Sequence, residues 1–446
     1  MKARIRQFFS TLGDTFWILP AAMVMLGILT ALVFLHIDRS GIVPSWLIDS
    51  AWLYNGGGTG ARTLLGAIAS SSIGVAGTVF SITIAALSLA AGQMGPRLLR
   101  NFTRDRGNQF TLGAFLGTFS YALMVLRSVR TQEEGVFVPH MSLSFGIMLA
   151  FGCVATLVYF VGHMASRINV DTVIELVSGD IRTAMRALLT DKQQHDAPEL
   201  RFWKKATPIV DARCGYLQQL DEEGLADWAC SHGTEIRLLV RRGDYISRGA
   251  PIALMTVQVP EAEAAIRNAT ALGASRGSAG DAEHAIRQLV EVAVRALSPG
   301  INDPHTAMSV LDRLGAVLCE MAGSNLPSGV LLREEKIALV VPNVSYESLV
   351  NVMFHMIRQN SGATPSIMIK LLDVLSVVMS CEMEKGRRAV LLHHGDLVWQ
   401  DAQNTIENRD DLEDVQRRRA ILQRMMEHGA LGAIGAIGAI DAAGAQ

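Results

Sequence analysis

The chain has 446 residues, half of them hydrophobic and 18% charged, with a formal net charge of −2. Nothing in that balance supplies the broad basic character on which nucleic-acid binding depends. Five scattered cysteines, with no C-x-x-C pair, fit a reducing compartment better than a disulfide framework. The averages conceal a division, because long uncharged runs fill the first third and most charge follows Ser166.

The chain opens with a short basic segment carrying Lys2, Arg4 and Arg6. Residues 16–35 predict a first membrane span. The run is long for a signal peptide and lacks a small-x-small cleavage site, so a retained helix is expected. Residues 37–61 read as a loop, with Trp46, Trp52 and Tyr54 suited to a membrane–water boundary. No charged residue lies between Arg62 and Arg97. As a helix that stretch reaches roughly 45 Å or more, longer than the ~30 Å hydrocarbon core it would cross. Alternating three- and four-residue steps place Thr63, Ala67, Ser70, Gly74, Gly77, Ser81, Ala85, Ser88 and Gly92 on one side. Leu64, Leu65, Ile68, Val75, Val79 and Ile82 lie opposite. Two readings of the small side stand together: a close-packing seam against a neighbouring helix, or the lining of a wet passage. Both hold if copies of the helix meet around an axis.

Arg97, Arg100, Arg104 and Arg106 follow. They predict a cytoplasmic loop under the positive-inside rule and are candidates for holding anionic lipid headgroups. Residues 110–126 and 141–161 predict the third and fourth spans, the third carrying Gly113 and Gly117 at close-contact spacing. Four spans put both termini on the cytoplasmic side of a cell (inner) membrane. Residues 166–200 read as an amphipathic connecting helix, and residues 201–260 as a β-rich module. In that module the run from Arg242 to Ile252 resembles the hairpin of small barrel-sandwich carriers, without the lysine that would bear a swinging cofactor. Residues 261–428 predict a mostly helical domain. Its helices are expected at 286–297, 306–321, 346–359, 365–384 and 401–428, with a strand at 336–341. Residues 429–446 form a low-complexity tail.

Four phrases carry a family likeness: Phe80 to Leu89, Gly95 to Phe102, Leu112 to Tyr121, and Ala293 to Ala307. In these the chain resembles a bacterial membrane-protein family defined by a domain of unknown function, number 2254. The resemblance implies membrane residence and a cytoplasmic C-terminal part. Where it leads one to expect Arg-Thr followed by Gln-Asp, this chain keeps only Arg276 and Asp281.

For chemistry, the best-placed residues are Asn302, Asp303 and His305 in the turn between two predicted helices. A carboxylate and an imidazole two residues apart can share a proton or a ligand. Asp303 before Pro304 is equally the start signal of a helix. His393, His394 and Asp396 form a second cluster without metal-site spacing. No catalytic set or cofactor motif is present, so no enzymatic activity, metal or cofactor is expected. The expected fold is a four-helix membrane domain joined to an α+β cytoplasmic region. The expected function is a homo-oligomeric channel-like or transport assembly in the lipid bilayer. A membrane-anchored scaffold or signalling module is the alternative.

Overall fold

A computed structural model describes residues 16–40, 54, 56–94, 105–130, 137–189, 195–276 and 281–429. The basic N-terminal segment, most of the aromatic loop, Arg97, Arg100, Arg104 and the tail beyond Gly429 lie outside them. The chain divides into two compact units, one ending at Asn169 and the other beginning at Val170.

Among its described residues the first unit has four helices long and apolar enough to cross a membrane: α1 (Ile18–Ser40), α2 (Gly58–Met94), α3 (Arg106–Ser128) and α4 (His140–Ile168). At 37 residues α2 begins a turn earlier than the charge pattern suggests, because Arg62 is accommodated inside a helix whose first turn is Gly-rich. The hub is α3. In its most apolar window 56% of residues are buried, against 17–22% in the other three. It packs on α1, α2 and α4 alike. A helix shielded from lipid by its neighbours can carry polar groups, and α3 buries Asn108, Gln109, Thr111 and Thr118.

The second unit begins with α5 (Val170–Leu188), which buries Val173, Ile174, Val177, Ile181 and Met185. That face packs on α8 (Ala282–Ala296) and α9 (Pro304–Met321). The strands do not close into a barrel. They form two open sheets. One has the order β1 (Thr207–Val210), β5 (Pro251–Met255), β3 (Ile236–Leu238), β8 (Lys336–Val340), β7 (Val330–Arg333). The other has the order β4 (Tyr245–Ile246), β2 (Gly215–Leu220), β6 (Thr270–Gly273). The barrel-sandwich expectation rested on a single hairpin. It missed the parallel pairing of β3 with β8, across about a hundred residues of chain, and two helices packed among the strands. These are α6 (Glu222–Ser231) and α7 (Ala262–Ala269), whose Leu225, Ala226 and Ile266 belong to the same core as Ile236 and Ala253.

The remainder is helical: α10 (Tyr346–Asn360), α11 (Pro365–Cys381), α12 (Lys385–Thr405) and α13 (Arg409–His428). The expected 401–428 helix is in fact the end of α12 and all of α13. Asn408 separates them by accepting the Asp410 N–H at 2.9 Å, an N-cap that starts a new helix.

Candidate functional site

The apolar face of α2 places Leu65, Ile68, Ala76, Val79 and Ala86 against the rest of the membrane unit. Turned away from that core, all nine stripe residues from Thr63 to Gly92 are exposed, including Ser70, Gly74, Gly77, Ser81 and Ser88. A Cβ placed on Gly74 or Gly77 would have no neighbour within 4 Å. Ser70 Oγ donates to the Gly66 carbonyl at 2.7 Å and Ser81 Oγ to Gly77 at 2.9 Å. Each hydroxyl proton is therefore used within the helix, while oxygen lone pairs remain outward. Among the described residues, the stripe from Thr63 to Ser88 faces away from the core that the other membrane helices share.

The seam within the chain lies at the shorter motif instead. A Cβ on Gly27 of α1 would collide with the Gly117 carbonyl oxygen. One on Gly117 would lie 2.9 Å from the Met23 carbonyl oxygen, and one on Gly113 2.5 Å from Met23 Sδ. Only glycine admits backbones this close. Beside that contact α1, α3 and α4 enclose a cavity of about 290 Å³ walled largely by Met23, Leu26, Phe110, Phe145 and Leu149.

Carboxylates close both ends of the membrane unit. Asp38, at the end of α1, accepts the Met141 and Ser142 N–H groups at 3.0 Å and the Ser142 hydroxyl at 2.6 Å. It thus caps α4 from another helix. His140 Nδ1 lies 2.6 Å from the Tyr54 carbonyl, and the Tyr54 N–H donates to Ser144 Oγ at 2.9 Å. At the other end Asp105 caps α3 through the Gly107 N–H and meets His163 Nε2 of α4 at 2.7 Å. Tyr159 stacks on that imidazole at 5.3 Å. Nothing in the spacing of Asp105 and His163, 58 residues apart, reveals the pair. Arg106 stands exposed as the first residue of α3.

In the second unit Asp303 behaves as a cap. Its carboxylate accepts the Thr306 N–H at 3.1 Å and the Thr306 hydroxyl at 2.6 Å, and these bonds hold it below the usual carboxylate range. Asn302 takes a left-handed backbone, φ 49°, and its side chain and that of His305 are exposed. His305 of the same turn adds a smaller lowering influence on Asp303, through its charge and its backbone N–H. The second cluster is dispersed: Asp396 pairs with Arg419 at 2.7 Å, while His394 is buried with Nε2 on Asn351 Oδ1 at 2.8 Å. Burial, then the charges of His355, His393 and Arg358, depress His394 to about 4. Arg276 and Asp281, the two residues kept from the family phrase, pair with each other at 2.7 Å beneath the Gly243 turn. Among the described residues no group of three or more His, Cys, Asp or Glu is placed to hold a metal ion.

The family model described as "Predicted membrane protein (DUF2254)" matches residues 13–376. The chain belongs to that family. An uncharacterized protein of Mycobacterium tuberculosis (strain CDC 1551 / Oshkosh) is 29% identical over 429 residues, covering 92% of this chain and 80% of its own. An uncharacterized protein of Mycobacterium bovis matches with the same identity and coverage. No solved structure matches. This member of DUF2254 is thus a predicted membrane protein whose four apolar helices precede a mixed helical and sheet region.

Proposed function

We propose that this DUF2254 protein assembles as a homo-oligomer in the cell (inner) membrane, and that the small-residue faces of α2 from several copies surround a channel-like or transport passage. One observation carries the reading. Among the described residues the stripe from Thr63 to Ser88 is exposed, while the other close-contact motif, at Gly27, Gly113 and Gly117, is filled backbone against backbone. The cavity inside a single membrane unit is walled mostly by apolar side chains, with a few hydroxyls such as Thr30 and Thr156, and offers little to a hydrated solute. A polar route therefore belongs between copies, where Ser70, Ser81 and Ser88 present oxygen. The basic residues before residue 7 and at Arg97–Arg106 support an orientation with both termini in the cytoplasm, where the second unit would gate or sense.

The test is solute flux from liposomes holding the full-length protein, paired with native mass spectrometry. Flux under an ion or osmotic gradient from an oligomer, lost on Gly77→Leu and Ser81→Leu, is the expected result. A monomer with no flux would defeat the proposal. An oligomer without flux would favour the tethered scaffold, for which the exposed Asn302–His305 turn is the natural docking point.

A further inference from the structure

The second unit contains two thiols on adjoining helix ends, a pairing invisible in the sequence because 62 residues separate them. Cys319 lies in the last turn of α9 and Cys381 is the last residue of α11. The two helices run in the same direction. Asp312 of α9 pairs with Lys370 of α11 at 2.7 Å, and one turn later a Cβ on Gly315 would lie 2.5 Å from Val374 Cγ1. Carried on, this register brings the last turn of α9 to the end of α11. We propose that Cys319 and Cys381 are an oxidative modification site: peroxide attacks at Cys381, and Cys319 resolves the product into a reversible disulfide joining the ends of α9 and α11.

The two cysteines differ in the way such a pair needs. Cys381 is exposed and Cys319 only half so. The Cys319 thiol is pushed up to about 12, chiefly by burial and then by its contact with the Cys381 thiol and the charge of Glu320. Cys319 therefore stays protonated at rest, and the accessible partner is the one an oxidant meets. In the first step the Cys381 thiolate attacks a peroxide oxygen. The O–O bond breaks, sulfur gains the hydroxyl as sulfenic acid and is oxidised by two electrons, and hydroxide leaves. In the second step Cys319 loses its proton to that hydroxide, giving water. Its sulfur then attacks the Cys381 sulfur, displacing hydroxide, which takes up the proton that Cys381 released on forming its thiolate and becomes the second water. Two thiols and one hydrogen peroxide become one disulfide and two waters. A dithiol reductant reverses the bond by exchange.

The placement gives the bond a consequence. Glu320, next to Cys319, pairs with Arg182 of α5 at 2.8 Å. Glu382, next to Cys381, accepts the Met383 and Glu384 N–H groups at 3.0 and 3.1 Å in the link that leads into α12. A disulfide here would tie together the segments on which α5 and α12 rest.

The experiment treats the full-length protein in detergent with hydrogen peroxide, then maps linked peptides without reduction. Loss of two of the five thiols and a Cys319–Cys381 peptide that dithiothreitol abolishes are expected. Cys319→Ser should leave a sulfenic acid on Cys381, trapped by dimedone, and Cys381→Ser should give no linked peptide. The exposed Cys214 is an internal control. A linked peptide joining other cysteines, or Cys381 oxidised in the native chain without capturing Cys319, would overturn the proposal.

Discussion

Two glycine-bearing helix faces in the membrane unit share a chemistry and differ in fate. On α3, Gly113 and Gly117 receive the backbone of α1 so closely that no side chain fits between them. On α2, Gly74 and Gly77 sit in a longer stripe of the same kind, and a Cβ on either would meet no described residue within 4 Å. Small residues mark where a backbone can come near; they do not say whose backbone it is. The first face has a partner built into the chain; for the second, a partner copy is the proposal.

Substituting both faces with the same bulk should separate them most sharply. Gly27→Leu drives a side chain into the Gly117 carbonyl and is expected to cost about 3 kcal/mol or more, as severe overpacking does, read as lost thermal stability in detergent. Gly77→Leu should leave the isolated subunit's unfolding unchanged and lower its oligomeric state on native mass spectrometry. Equal destabilisation by both would mean that the α2 face is already packed.

Acid should distinguish the two units. His394 holds a folded-state value of about 4 against an ordinary 6.5. The unfolded chain therefore binds the extra proton first as pH falls. The second unit keeps its full stability above pH 6.5 and loses about 3 kcal/mol as pH drops toward 4. His394→Asn should flatten that slope in pH-dependent unfolding followed by hydrogen exchange, which resolves the units. A slope unchanged by the substitution would assign the acid sensitivity elsewhere.

Smaller effects test the caps. Asp38→Ala removes the acceptor for two backbone N–H groups of α4 and should cost about 1–2 kcal/mol, the upper range for a cap, measured as a lowered melting temperature. Asp303→Ala should cost about 1 kcal/mol, with His305→Ala near zero. A larger loss at His305 would show that the turn does more than start α9. The least expected change is Gly74→Ala, within about 0.5 kcal/mol for the subunit, since its Cβ would point into open space.

Much of the architecture is legible along the chain. Four apolar runs stand out because lipid demands some twenty uninterrupted apolar residues per helix. Asp303-Pro304 announces α9 because capping is satisfied by the next three residues. The same locality makes α5 readable as an amphipathic helix, with Val173, Ile174, Val177 and Ile181 on one side. The strand module was less legible. Its sheet depends on β3 meeting β8 from a distant segment, and α6 and α7 hide in a stretch whose β-prone runs dominate the pattern.

Span number, helix periodicity, the small face of α2 and the helix start at Pro304 follow from the order of residues, because each depends on neighbours within a few turns. Long-range partners do not. That α3 is the hub, that Gly27 meets Gly117, that Asp105 finds His163 and that Cys319 lies beside Cys381 are outcomes of packing. Each joins segments 58 to 90 residues apart, or depends on which helix is shielded from lipid. No local preference encodes such a choice; it is made when competing faces are buried together.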